Sequence, residues 1–168
     1  MAWHAWQISH ERVNEAIPPG LVLKNITYTK SSHGRAIWTF SAQQAEHNRQ
    51  SGLIKAKKIH LVFHDKIRGD IELTADMGQI HSGNETIRVM GHVRIEDQPD
   101  NILTTDWMEY DERSGILKTT APVHIRLDGS TIEGKGLSID TKQRKLFVSS
   151  DVNATLDNEQ DGNKDHEG

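Results

Sequence analysis

The chain has 168 residues and no cysteine, which suits about one domain and excludes both disulfides and thiolate zinc sites. Apolar residues make up 35% and charged residues 26%, so the composition is polar without being that of a disordered chain. The net charge of −4 comes entirely from the acidic stretch after Leu156, which leaves a neutral body without the basic stripe that binds nucleic acid.

Residues 1–20 are predicted to form an N-terminal extension, either a short amphipathic helix or a disordered segment. Trp6, Val13 and Ile17 would lie roughly on one side of such a helix. The segment is too polar to span a bilayer, and no apolar run in the chain approaches the ~18 residues of a membrane-spanning helix. A Pro-Pro-Gly sequence at 18–20 ends the extension.

From residue 21 to residue 156 the apolar residues recur with a period of two, which is typical of β-strands. Leu21 and Leu23 show this alternation, as do Val123, Ile125 and Leu127. Turn sequences such as SSHG, HSGN, ERSG and LDGS separate the alternating segments. We therefore expect one all-β domain over 21–156, followed by a disordered acidic tail over 157–168.

A fourfold repeat organises this domain. Its anchor residues Ala42, Ala75, Thr105 and Gly134 are 33, 30 and 29 residues apart, and an apolar residue precedes each anchor by two positions. In a regular strand, an anchor and the third residue after it would point to opposite faces, yet both positions are apolar or small in the repeat. A β-bulge between them in every unit would put both on the inner face. The repeat thus predicts long, bent antiparallel strands that wrap a core, eight from the four hairpins and one or two before them.

The stretch TDWMEYDERSG at 105–115 contains four carboxylates, a density that could indicate a catalytic pair or a cation site. Asp106, Glu109, Asp111 and Glu112 occupy repeat positions that hold polar residues of mixed charge in the other units. The pattern therefore predicts an outward, solvated face that leads into a turn.

The other candidate metal-binding and catalytic motifs lack the structural context that they would need. His60 and His64 would lie about 13 Å apart on a strand that rises ~3.3 Å per residue, too far to share a metal ion. The glycine-rich segments are not followed by a helix pattern, as a phosphate-binding loop requires, and no nucleophile motif occurs. The sequence predicts no enzyme activity, no metal site and no cofactor.

Several segments carry a family resemblance: GHVRIE at 91–96, LTTD at 103–106, YDERSG at 110–115, APVHI at 121–125 and IEGKGL at 132–137. Together they resemble the LptC family, the periplasmic component of the lipopolysaccharide export machine. That family is related to the LptA/OstA bridge proteins, and the HGRAIW segment at 33–38 favours LptC over LptA. The resemblance covers about residues 21–156.

The resemblance implies a twisted, partly open β-jellyroll whose apolar interior carries the acyl chains of lipid A. It also implies a place in the periplasm at the inner membrane, and a role in building the cell outer membrane. An inner-membrane ABC transporter complex would deliver lipopolysaccharide at the N-terminal edge, and an LptA-like protein would accept it at the C-terminal edge. Members normally begin with a transmembrane helix that is not found in this sequence, so attachment would come from partners or from a longer chain.

On this interpretation the inward apolar residues bind lipid without catalysis, and the turns and final strand dock partners. The predicted groove lining is Trp38, Phe40, Ala42, Ile59, Leu61, Phe63, Leu73, Ile87, Val93, Leu103, Leu117, Val123, Ile132 and Leu146. The predicted docking residues are Gly34, Gly129, Ile139, Val152, Ala154 and Leu156.

Two other functions remain open at this point. The chain could be an LptA-like bridge that stacks edge to edge by strand pairing around a closed, dry core. It could also be a carbohydrate-active β-protein, but such an enzyme would need paired inward carboxylates, and the repeat predicts that the carboxylates point outward.

Overall fold

The computed structural model describes residues 21–81 and 83–156, which form nine long strands. The strands are β1 (Leu21–Ser32), β2 (Arg35–Asn48), β3 (Leu53–Phe63), β4 (Ile71–His81), β5 (Thr86–Gln98), β6 (Asn101–Asp111), β7 (Ile116–Leu127), β8 (Ser130–Asp140) and β9 (Lys145–Leu156). They make one antiparallel sheet in which each strand pairs with its neighbours in the chain, and β1 and β9 are the two edges. The predicted all-β class with long antiparallel strands is confirmed. The predicted extension at 1–20 and tail at 157–168 lie outside the described residues.

The strands are bent at the positions where the repeat changes parity. Ala75 and Gly78 are both buried although they are three residues apart, and so are Thr105 and Met108. The pairing of β4 with β5 shifts register at this point, and the pairing of β6 with β7 shifts there as well. The predicted bulge is therefore present in these two units, and it lets both halves of a strand turn their apolar side chains inward.

Left-handed residues mark the same bend on four other strands. Asn25 on β1, Lys58 on β3, His92 on β5 and Asp151 on β9 have φ angles of 52°, 53°, 46° and 51°. A positive φ is uncommon for residues other than glycine, and in a β-bulge it turns the chain without ending the strand. The bend thus runs as a row across the sheet.

The bent sheet folds over on itself, so its two layers share one apolar interior. Phe63 on β3 contacts Tyr110 on β6, with ring centroids 5.4 Å apart, although β4 and β5 lie between their strands in the sheet. Burial of each large side chain in such a core stabilises the fold by about 1.5–3 kcal/mol. The most deeply buried side chains are Phe40, Leu61, Leu73, Ile80, Val93, Met108, Ile125 and Leu137.

The acidic stretch at 105–115 is only partly as predicted. Asp106 is exposed, and Asp111 accepts backbone hydrogen bonds from Arg113 and Ser114 in the β6–β7 turn. The prediction that all four acids face water is wrong for Glu112, whose side chain is 11% exposed and forms an ion pair with Lys30. Folding of the sheet brings the end of β1 against this turn, and that approach buries the carboxylate.

Candidate functional site

The residues predicted to line a groove all lie along the inner face of the folded sheet. Eleven of the fourteen are buried in the core, and Phe63 and Ile132 pack against it while partly buried. Leu146, on the edge strand β9, is 39% exposed. Contact with lipid remains a prediction for all fourteen.

A cavity of about 220 Å³ lies within the interior, between the two layers. Four of the predicted residues line it, namely Phe63, Leu103, Leu117 and Leu146. The other apolar residues of its wall are Ile71, Ile95, Ile102, Ile125, Leu127 and Ile139. The apolar part of this wall suits a hydrocarbon chain, which needs apolar contact and no specific hydrogen bonds.

Some residues of the cavity wall were not among the predicted ones, although their positions in the repeat mark them as inward. Ile95 and Ile125 each stand twenty residues after a repeat anchor, Ala75 and Thr105, so both occupy the same inward position. The signal was therefore present in the sequence. Which inward residues border the cavity depends on how the two layers meet, and no local pattern encodes that.

The rim of the cavity is polar, and Arg144 makes several of the contacts there. Its guanidinium donates a hydrogen bond to the backbone carbonyl of Gly69 at 2.8 Å and lies 3.5 Å from Asp65 and 3.7 Å from Asp97. The backbone N–H groups of Arg68 and Ile67 hold the pKa of Asp65 below its ordinary value, and Arg144 lowers it further. This carboxylate therefore stays ionised at neutral pH beside the guanidinium.

The C-terminal edge strand exposes several large apolar side chains. Phe147, Val152 and Leu156 on β9 are 68%, 56% and 70% exposed, and β9 has no strand on its outer side in the described part of the chain. Such an edge offers unpaired backbone groups to another strand. Ala154, another predicted docking residue, is also exposed on β9.

Ile139 corrects the predicted docking edge. It lies on β8, one strand in from the edge, where it pairs with Leu146 of β9 and lines the cavity. The prediction that it presents the edge is wrong, because the turn at 141–144 is followed by a complete further strand. Its side chain belongs to the interior.

The two predicted docking glycines lie in hairpin turns. Gly34 joins β1 to β2 and Gly129 joins β7 to β8, with φ angles of 76° and 78°. No atom would lie within 4 Å of a Cβ placed at either position, so the left-handed backbone rather than close packing favours glycine there.

The histidines of β3 and the turn after it make separate local contacts. His60 lies 3.2 Å from Glu72, while His64 contacts Thr39 at 2.8 Å and Asp70 at 3.3 Å. Over residues 21–81 and 83–156, no three potential metal ligands are grouped closely enough to hold an ion. Within the same residues, no helix has the length and apolar character needed to cross a bilayer.

Comparison with known proteins identifies the family. The sequence model described as "Lipopolysaccharide-assembly, LptC-related" matches residues 1–157. The chain belongs to this LptC family. No curated protein matches the sequence significantly. Among solved structures, the chain is similar to LptH of Pseudomonas aeruginosa, described as the LptA homologous periplasmic component of the conserved lipopolysaccharide transport device.

The likeness to LptH supports the fold. The two structures superpose with a TM-score of 0.50 at 13% sequence identity, over 71% of this chain and 94% of LptH. This shows that the open, folded sheet is a jellyroll of the LptA type. Membership of the LptC family supports a role in lipopolysaccharide transport, and the family is a periplasmic transport and binding family.

Proposed function

We propose that the chain binds lipopolysaccharide through its acyl chains in the interior cavity and passes it on without chemical change. Lipopolysaccharide would come from the inner-membrane ABC transporter complex at the β1 edge and leave to an LptA-like protein at the β9 edge. The chain would thus work in the periplasm, in association with the inner membrane.

One observation carries this proposal: Leu146 belongs both to the cavity wall and to the exposed edge strand. The apolar inner face therefore continues from the cavity to the edge of the sheet. A second sheet that added its own strand to β9 would extend that face, so an acyl chain could move between the proteins without crossing water.

The turns at Gly34 and Gly129 and the residues Val152, Ala154 and Leu156 would take part in docking. Val152, Ala154 and Leu156 lie on β9 itself, and Gly129 forms the turn that enters β8, the strand paired with it. Gly34 forms the turn that leaves β1, at the opposite edge. These five residues thus lie at or next to an edge of the sheet.

Neighbouring residues on β9 allow a matched test. A photo-crosslinking amino acid at Leu146 should form an adduct with lipopolysaccharide in cells, whereas the same group at Phe147, on the opposite face of the strand, should not. Both positions are exposed enough to accept the bulky side chain. Equal labelling of lipopolysaccharide at the two positions would reject the proposal.

A second function deserves a test because, in the described part of the chain, β1 and β9 each pair with a strand on one side only. As an LptA-like bridge, the chain would stack head to tail, β9 of one copy against β1 of the next. This function predicts self-association that grows with concentration in sedimentation experiments. A chain that stays monomeric at high concentration and still binds lipid would exclude the bridge.

A further inference from the structure

Arg144 connects three parts of the sheet that are distant in sequence. It ends the β8–β9 turn, and it contacts Gly69 and Asp65 in the β3–β4 turn and Asp97 near the end of β5. Its side chain is only 18% exposed. These contacts join one layer of the folded sheet to the other across the rim of the cavity.

The cavity under these contacts is small for the ligand proposed above. Pockets that hold small-molecule ligands typically measure about 300–1,000 Å³, whereas this one measures about 220 Å³. An amphiphile with several acyl chains needs more room than this, and separation of the two layers at the rim would provide it. Arg144 and Asp97 both line the cavity and both belong to the contact that holds the rim closed.

The closed contact is incompletely satisfied. Among the described residues, Asp97 Oδ1 is buried without a hydrogen-bond partner, and its 3.7 Å separation from Arg144 is too long for a hydrogen bond. A buried acceptor that lacks a partner reduces the stability of the state that buries it. Opening of the rim would return this oxygen to water and remove that cost.

We propose that Arg144 is a clasp across the mouth of the acyl-binding cavity, and that it must leave Asp65 and Asp97 before an acyl chain can enter. This inference rests on the proposed function, since it assigns the control of entry to the same cavity. Its ligand is the hydrocarbon chain of an amphiphile. The clasp lowers the fraction of molecules competent to bind, and therefore lowers the apparent affinity.

The test measures uptake of cis-parinaric acid, a fatty acid that fluoresces in apolar surroundings, by the whole chain in stopped flow. Arg144→Ala should raise the uptake rate and the apparent affinity about three- to tenfold, as expected for the loss of weak ion pairs. Asp97→Asn, which removes the charge and keeps the shape, should act in the same direction. Added salt should speed uptake by the natural chain and not by Arg144→Ala, because salt screens the clasp.

Arg113→Ala is the matched control. Like Arg144, Arg113 lies in a hairpin turn and forms an ion pair, with its guanidinium 2.9 Å from the carboxylate of Glu85. Unlike Arg144, its side chain is 71% exposed and does not line the cavity. Its removal should leave uptake unchanged. Circular dichroism checks that each variant keeps its sheet, and Asp97→Asn decides the matter if Arg144→Ala unfolds.

Ile139→Trp, which fills the cavity, separates failure of the clasp from failure of the proposed function. If Ile139→Trp blocks uptake while Arg144→Ala and Asp97→Asn bind like the natural chain, the cavity is the binding site and the clasp is refuted. If no variant takes up the probe, the proposed function and the clasp are refuted together. Faster uptake in Arg144→Ala that Ile139→Trp abolishes supports both.

Discussion

Phe63 and Tyr110 pack edge to face, with ring centroids 5.4 Å apart and an interplanar angle of 72°, across the interior of the folded sheet. One lies at the end of β3 and the other at the end of β6, so their contact joins the two layers. Phe63 also lines the cavity. Phe63 therefore both stabilises the jellyroll through this contact and borders the space in which a lipid chain would lie.

Truncation of Phe63 should destabilise the fold. Phe63→Ala is expected to lower the free energy of unfolding by about 2–3 kcal/mol, less than for a fully buried phenylalanine because Phe63 is partly exposed. In a double-mutant cycle with Tyr110→Leu, the ring contact should account for about 0.5–1.5 kcal/mol. Urea denaturation measures both values, and Phe147→Ala on the outer face should change stability by less than about 0.5 kcal/mol.

Gly134 sets the spacing between β8 and the edge strand. A Cβ at this position would lie 2.4 Å from Val148 Cγ1, so Gly134→Ala should push β9 away and destabilise the chain by about 1–3 kcal/mol. Adding Val148→Ala removes the clashing methyl group and should restore part of the loss. Hydrogen exchange of the β9 amides reports the effect; absence of rescue would show that β9 is not held as described.

Gly83→Ala is a suitable control for this experiment. Gly83 lies in the turn between β4 and β5, and no atom would lie within 4 Å of its Cβ. Stability and amide exchange should stay close to those of the natural chain.

Because Lys58 has a left-handed backbone, its replacement by glycine should not destabilise the strand, as glycine usually does. Lys58→Gly should leave stability unchanged or raise it by up to about 0.5 kcal/mol, because glycine adopts a φ of 53° without steric cost. Lys57→Gly, one residue earlier on the same strand, should instead cost about 0.5–1 kcal/mol. Thermal unfolding of the two variants gives the comparison, and equal losses would argue against the bulge.

The ion pair of His92 and Asp76 at the bend should make stability depend on pH. The hydrogen bond from His92 Nδ1 to Asp76, 2.6 Å long, raises the pKa of His92 and lowers the pKa of Asp76, while Lys58 opposes the charge on the imidazole. A raised histidine pKa stabilises the fold below its unfolded value of about 6.5, and that stability is lost as pH rises through the folded pKa. The lowered Asp76 pKa stabilises the fold above its unfolded value of about 3.9, and that stability is lost as pH falls through the folded pKa.

The pair should therefore stabilise the chain most at about pH 5, between the two unfolded values. His92→Asn suits the test because asparagine tolerates the left-handed backbone at this position. The melting temperature of the natural chain should exceed that of the variant at about pH 5, and the difference should shrink towards pH 8. A difference that is constant across this range would contradict the pairing.

The sequence predicted the strands and their bend because both depend on local periodicity. The parity change at Ala75 and Gly78 is visible without any knowledge of the partner strands, since a bulge is a property of one strand and its immediate neighbour. The strand boundaries also follow from the turn sequences, such as the ERSG turn before β7.

The predictions that were wrong, and the features that were not predicted, depend on contacts between the two layers. Glu112 was expected in water, but the folded sheet brings Lys30 of β1 onto it. Arg144 carried no sequence signal at all, because its hydrogen-bond partner Gly69 is 75 residues away. The position of the cavity has the same origin, since both layers contribute to its wall.

Native mass spectrometry of the chain, after mild detergent extraction from lipopolysaccharide-producing cells, tests the central claim most directly. The natural chain should carry a mass adduct of lipopolysaccharide, and Ile139→Trp, which fills the cavity, should lose it while keeping its sheet. An adduct that survives in Ile139→Trp at the natural level, or a natural chain that carries no lipid, would contradict transport through this interior.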